Sequence, residues 1–329
     1  MTLTTAMDKR AKPHILCVGA AVLDTLYRVR TMPTGQGKVL PYDMLQIAEG
    51  MASSAAFAVA KLGGDASLWS AVGDDQTGER IIGDLAESGI DTRGMRRVAG
   101  ARSAVSTILI DDVGERLIIP FYDPRLHQLV QSVTADHVAP FDAVLVDVRW
   151  PSLALQTLLA AREAKLPAIL DGDVAAEGVI EMLAPAASHI VFSQPAAERL
   201  AGTAQPPSMV HRLKERFSHA FVSVTFGEKG SYWFDDDSGR IRHLEAPCIT
   251  PTDTLAAGDI FHGTFALTLS EGMAIEDVMR ASSMAAAIKC QTFGGRIGAP
   301  ARAELDQALM SWPAKAVDIT ARNGPAQAL

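Results

Sequence analysis

Two carboxylates frame the stretch Asp253-Thr254-Leu255-Ala256-Ala257-Gly258-Asp259, and most of what lies between them is small. The turn runs directly into an apolar segment of helical length, roughly Gly258–Ser270, which places Asp259 in a helix first turn. Amides at a helix N-terminus lack partners inside the helix and carry partial positive charge, so they can hold charge that develops on a transferring phosphoryl group. The small side chains at Ala256, Ala257 and Gly258 let a phosphate approach that backbone. Asp259 beside it could accept the proton of an attacking hydroxyl. An acid at this position also complements a helix dipole with no chemistry involved, so the segment gains meaning only from partners elsewhere.

Several residues could be those partners. Asp24 lies just beyond the first strand-like run, and Arg149 stands at the end of another, where strands of a parallel sheet face a ligand crevice. The loop Val224-Thr225-Phe226-Gly227-Glu228-Lys229-Gly230 suits either a phosphate or an ordinary turn between strands. Gly37-Lys38 is not a P-loop, because Met32 stands five positions before Gly37 and Val39 follows the lysine. Gly19-Ala20-Ala21-Val22-Leu23-Asp24 lacks the G-x-G-x-x-G of a dinucleotide site, which argues against a dehydrogenase. Cys17, Cys248 and Cys290 form no paired ligand spacing and suit a reduced cytoplasmic setting.

These groups must be positioned by an α/β alternation. His14–Gly19 reads as a buried first strand, Met51–Leu62 as a helix stopped by Gly63-Gly64, and Ala66–Val72 as the next strand. Thr77–Ser88 predicts a helix, while Ala104–Ile110 and Arg116–Phe121 flank a turn at 111–114 as a hairpin. Strand-like runs at Ala143–Val146, Ala168–Leu170, His189–Phe192 and Phe221–Thr225 then alternate with helical segments such as Leu153–Ala164. Helices at Ile275–Cys290 and about Ala303–Met310 follow, separated by Gly294-Gly295 and Pro300. The chain of 329 residues is 48% apolar and 21% charged with a net charge of −8, so disorder and a general nucleic-acid footprint are both unexpected. No apolar run reaches the roughly 18 residues a membrane span needs, and the opening segment does not read as a signal peptide.

In order and spacing, these motifs resemble the ribokinase/PfkB family of carbohydrate kinases, over roughly His14 to Ala299. Asp253–Asp259 matches the family's D-T-x-G/A-A-G-D. Glu49-Gly50-Met51-Ala52-Ser53-Ser54 through Leu62-Gly63 is similar to its upstream signature, and Val72-Gly73-Asp74-Asp75-Gln76-Thr77-Gly78 to its V-G-x-D-x-x-G. The resemblance implies a ribokinase-like α/β/α sandwich with a mainly parallel sheet, one domain spanning 14–313. It also implies a small β lid from about 25–47 and 101–122, with flexible tails at 1–13 and 314–329. It implies ATP and Mg²⁺ as cofactors, Asp259 as catalytic base, and Ala256, Ala257 and Gly258 as the anion hole. Asp24, Gly50 and Ser54 would face the sugar, and Thr225, Gly227 and Gly230 the nucleotide. Gly295 either turns toward the nucleotide or simply ends a helix. Some members bind potassium near the position of Asp253. The expected partner is a small sugar, with no nucleic acid and no membrane, and a homodimer is left open.

The chain also departs from the pattern. Its single asparagine is Asn323, so the family's N-x-x-E becomes Ser193-Gln194-Pro195-Ala196, the upstream asparagine becomes Ser54 and the first glycine of the upstream pair becomes Glu49. Magnesium ligation and sugar contacts are the roles these changes touch, and a sugar- or nucleotide-binding protein with weak catalysis is one reading of them. Other details resemble the 6-deoxy-6-sulfofructose kinases: Asp147-Val148-Arg149-Trp150, Leu170-Asp171-Gly172-Asp173, Gly258-Asp259-Ile260-Phe261-His262-Gly263, and Lys289-Cys290 followed by Gly294-Gly295-Arg296. By that resemblance Lys38 and Arg149 would clamp a sulfonate, and His262 would lie at the substrate. Kinases for fructose, ribose, a phosphorylated ketose or a nucleoside are the alternatives.

Overall fold

Short aliphatic runs can be buried on both faces only in a sheet covered by helices on each side. In the computed structural model, which describes residues 12–128 and 132–319, His14–Val18 and Ala143–Val146 are two such runs, paired in parallel. The central sheet has ten strands among the described residues. From one edge they are Val317–Ile319, Arg240–Leu244, Ser231–Asp235, Phe221–Thr225, His189–Ser193, Ala168–Gly172, Ala143–Val146, His14–Val18, Asp65–Trp69 and Ile90–Asp91. Every neighbouring pair from Phe221–Thr225 to Ile90–Asp91 is parallel, and the three strands at the other edge are antiparallel. His14–Val18 sits between Asp65–Trp69 and Ala143–Val146, so the chain winds away from it in both directions. Such a switch point opens a crevice at the carboxyl ends of the strands.

Alternate residues of these strands feed two cores. Leu16, Val18, Val144 and Val146 pack on the side of the helix Pro151–Glu163. Ile15, Cys17, Ile169 and Val191 pack beneath the helices Met51–Lys61, Ala257–Ser270 and Ile275–Cys290. A separate four-stranded lid, ordered Asp43–Glu49, Val22–Arg28, Val105–Ile110 and Arg116–Phe121, has its own small core of Leu26, Ile47, Ile108 and Ile110. Leu255, from the turn before the helix Ala257–Ser270, packs against that lid core.

Two expectations are corrected. The strand read as Ala66–Val72 divides at Ser70, whose hydroxyl donates to the Gly19 carbonyl at 2.6 Å; Ala71–Gly73 then pairs with Arg96–Val98 in a small sheet of its own. Residues 314–319, expected within a flexible tail, supply the edge strand Val317–Ile319, where Asp318 bonds Arg240 at 2.7 Å and pairs with Arg242 at 3.1 Å. Residues 1–11 and 320–329, the rest of the expected tails, lie outside the described residues.

The helix Met51–Lys61 carries Ala52, Ala55, Ala56 and Ala58 on its buried side, which lets the helix Ala257–Ser270 come unusually near. A Cβ on Gly263 would stand 2.2 Å from the Ala55 carbonyl oxygen and 2.9 Å from the Ala58 Cβ. Gly263→Ala should therefore lower stability by about 1–3 kcal/mol, as overpacking does, and shift the urea midpoint at unchanged slope. Gly83→Ala, where a Cβ meets nothing within 4 Å, should leave it equal or slightly higher. Equal midpoints for wild type and Gly263→Ala would contradict the close approach.

Candidate active site

At the switch point the Asp147 carboxylate gathers three strand and helix ends through backbone amides. Its oxygens accept from Ala20 N at 2.8 Å, from Ala52 N at 3.1 Å in the first turn of the helix Met51–Lys61, and from Arg149 N at 2.7 Å. Gly19 must be glycine here: its φ is 148° and a Cβ would stand 2.1 Å from the Asp147 carboxyl carbon. Gly50, at φ 119°, likewise leaves room for the Ala20 carbonyl, which a Cβ would meet at 2.5 Å.

Above this junction lies a cavity of about 480 Å³ between sandwich and lid. Asp24, Glu49, Gly50, Arg149, Ala256 and Asp259 line it, with Ser106, Ile108, Ile118, Pro120, Tyr122 and His127 contributed mainly by lid strands and the loop after them. Asp259 is partly buried on its wall. Burial holds its carboxyl well above the usual range, and the charges of Asp171, Glu49, Asp173 and Asp147 push it further. Asp24 accepts the Ser106 hydroxyl at 2.5 Å and is raised to about 6 by burial. Glu49 is raised to about 7, first by burial and then by the Asp24 charge; it accepts from Ser54 Oγ at 2.5 Å and from Arg296 N at 2.7 Å.

The turn itself is arranged for an anion, with one adjustment to the expected hole. Ala256 takes a left-handed conformation at φ 61°, which L side chains seldom adopt. The Ala257 amide is engaged by the Thr254 carbonyl at 3.3 Å, while the Gly258 and Asp259 amides donate to no protein acceptor among the described residues. Of the expected hole, the amides of Ala256 and Gly258 have no protein acceptor among the described residues, Ala257 is engaged, and Asp259 adds a further free donor.

Other expected residues fall elsewhere. Ser54 is fully buried and reaches the cavity only through Glu49. His262 lies behind the turn, with Nδ1 2.7 Å from the Gly258 carbonyl and Nε2 3.2 Å from that of Val191 and 3.4 Å from Asp171, so it braces the helix start and does not line the cavity. Lys38 lines a different cavity of about 360 Å³, formed by residues 29–42, which shares no residue with the one holding Arg149. The Arg149 guanidinium already donates to the Val174 carbonyl at 2.9 Å and to Asp173 at 3.3 Å. Thr225, Gly227 and Gly230 form the turn into the antiparallel strand Ser231–Asp235, at the same strand edge: Thr225 is in register with Ser193. Gly295, at φ 60°, is wedged between Asp253 and Glu49; its amide donates to Asp253 Oδ2 at 3.0 Å, and a Cβ would stand 2.1 Å from Glu49 Oε1. The lid wall, Ser106 and Tyr122 above all, had no motif to mark it.

No cluster of three or more His, Cys, Asp or Glu suited to a metal occurs among the described residues. The half-exposed Asp173 carboxylate, which accepts the Ser193 hydroxyl at 2.8 Å, is an oxygen donor at the strand edge of the kind magnesium takes when phosphates and water supply its other ligands.

Raised acids give the fold a pH signature. Asp24 and Glu49 favour folding below their ordinary ionisation, and that contribution is lost as pH rises through about 6 for Asp24 and about 7 for Glu49. Melts between pH 5 and 8 should show stability declining, by at most about 1.4 kcal/mol per pH unit for each proton. Glu49→Gln should flatten the decline; the same slope in both proteins would remove Glu49 as its source.

Residues 12–302 match the pfkB family of carbohydrate kinases. The ribokinase of Haemophilus influenzae is 27% identical over 290 residues, 82% of this chain and 90% of its own. That of Bacillus subtilis is 25% identical over 321 residues, 94% and 96%. A crystal structure from Agrobacterium tumefaciens, provisionally described as a ribokinase, is 59% identical with a TM-score of 0.90 over 92% of this chain and 99% of that one. The Arabidopsis thaliana ribokinase solved with ribose and ATP, 22% identical, shares the fold at a TM-score of 0.78 over 91% and 99%. The motif, the cavity and these matches agree that the chain belongs to the pfkB family of carbohydrate kinases, phosphotransferases whose acceptor is an alcohol group.

Proposed function

We propose that this sugar kinase moves the γ-phosphoryl group of ATP to a hydroxyl of a ketose-like sugar held beneath the lid, with Asp259 as the base. The observation that carries the reading is the meeting of Asp259 with Asp24 and Arg149 on one cavity, beside the free amides of Gly258 and Asp259. A base with a raised pKa binds the hydroxyl proton well, and neighbouring amide dipoles offset the charge that reaches the transferred group. Asp24 and Glu49 offer acceptors for sugar hydroxyls. Magnesium, held by Asp173 and the phosphates, would neutralise phosphate charge; Thr225, Gly227 and Gly230 stand at the strand edge where the adenosine end would lie.

Within that class, 6-deoxy-6-sulfofructose is the substrate an Arg149 contact would select, since a guanidinium presents a fork to sulfonate oxygens. A neutral sugar such as fructose or ribose is the second reading. It is favoured by the carboxyls of Asp24, Glu49 and Asp259 on the cavity wall, by the tether of Arg149 to Asp173, and by the placement of Lys38 in another cavity.

Asp259→Asn should keep the fold and ATP binding and lose roughly 10²–10⁴-fold in kcat. Wild-type kcat/KM should fall on the acid side at a pH above the ordinary carboxylate range, because the base must be ionised. Turnover within tenfold of wild type would remove Asp259 from the role. Arg149→Ala should cost a sulfonated ketose at least tenfold in kcat/KM, about 1.4 kcal/mol, while neutral fructose changes little. An equal loss on both sugars, or a wild type that prefers neutral sugars throughout the panel, would leave only the neutral reading.

A further inference from the structure

Lys289 is a lysine with no solvent exposure, in the last turn of the helix Ile275–Cys290. Its Nζ donates to the Asp253 carbonyl oxygen at 2.6 Å and lies 3.3 Å from Asp253 Oδ2, and that side chain is 1% exposed. A buried ammonium is costly to desolvate and persists only where fixed oxygens replace its water. Here one residue supplies both a carbonyl and a carboxylate oxygen.

What Asp253 does with its remaining valences makes the pair consequential. Oδ1 accepts from Leu255 N at 2.8 Å, and Oδ2 accepts from Gly294 N and Gly295 N at 3.0 Å each. The amides of Thr252 and Asp253 donate in turn to the Cys290 carbonyl, at 2.7 and 3.1 Å. The ammonium thus sits at the knot joining the turn that carries Ala256 and Asp259, the Gly294–Gly295 turn and the end of a long helix. The carbonyl and carboxylate oxygens of Asp253 are the donors that a potassium ion in this segment would need, and both are taken by Lys289. The residues present do not fit an added monovalent cation there.

We propose that the Lys289 ammonium is the resident cation of this kinase, a positioning residue that holds the Asp253–Asp259 turn and the Gly294–Gly295 turn in register and makes the enzyme independent of potassium. This rests on the reading of the Gly258–Asp259 amides as the phosphoryl site; the Asp259→Asn result tests that reading separately. The first test needs no variant. Magnesium-ADP affinity by calorimetry, and turnover on whichever sugar is phosphorylated, are measured in potassium chloride and in tetramethylammonium chloride. Both should agree within twofold; a tenfold or greater loss of affinity or turnover without potassium would overturn the proposal. In Lys289→Met, folding checked by circular dichroism, kcat should fall at least tenfold with sugar KM within about threefold, and ammonium or potassium ions should restore part of the loss. A folded Lys289→Met with wild-type kcat, or a loss that no small cation relieves, would likewise overturn it. If Lys289→Met does not fold, the wild-type comparison decides.

Discussion

The architecture converges on a buried carboxylate bonded to amides from three directions. Asp147 ends one of the two strands that diverge at the switch point, and its oxygens take the backbone of Ala20, Ala52 and Arg149. Each bond is individually modest, yet an anion inside the protein cannot be left without donors, so the three segments are held together or the structure pays the full desolvation penalty. Gly19 and Gly50 are where they are because the backbone must pass close to that knot. The start of the helix Met51–Lys61, the strand end bearing Arg149 and the floor of the cavity all follow from it.

A second consequence is crowding of like charge. Asp24, Glu49 and Asp259 line a single crevice with Asp147, Asp171 and Asp173 behind it, and the carboxyls of Asp259 and Glu49 are raised first by burial and then by the charges of neighbouring carboxylates. Arg149 and Arg296 answer part of it, the latter through Glu49 and Asp84, where its guanidinium bonds Asp84 at 2.7 Å. Such a site is strained electrostatically when empty of substrate. The same excess holds the Asp259 carboxyl well above its usual range, which is the condition the proposed role as a base calls for.

The lid is tied to this chemistry by packing. Its core holds few side chains, and Leu255 from the Asp253–Asp259 turn is one of those packed against it. The residue that precedes the left-handed Ala256 thereby senses the lid directly. Strand Arg116–Phe121 is exposed along its length, whereas Val105–Ile110 alternates inward and outward, with Ser106 and Ile108 both reaching the cavity.

Local pattern alone determined the alternation of strands and helices, because apolar runs such as Ala143–Val146 and Phe221–Thr225 have strand length and the residues that stop each element lie beside it in the chain. It also marked the Asp253–Asp259 turn, whose small residues are contiguous in the chain. Residues separated by hundreds of positions were settled only by folding. Glu49 meets the Arg296 amide across a separation of 247, and nothing in either neighbourhood announces the partner. Ser54 and His262 looked like ligands of the substrate, but helix phase turned each away from the cavity, toward Glu49 and toward the Gly258 carbonyl. Lys38 and Arg149 could be paired by motif, yet the path of the lid loop put them on separate cavities. Lys289 was marked only as part of a motif; its burial against Asp253 became visible only once the two elements were packed. Identity and spacing along the chain select which groups can do chemistry, while the directions of side chains across packed elements decide which of them touch.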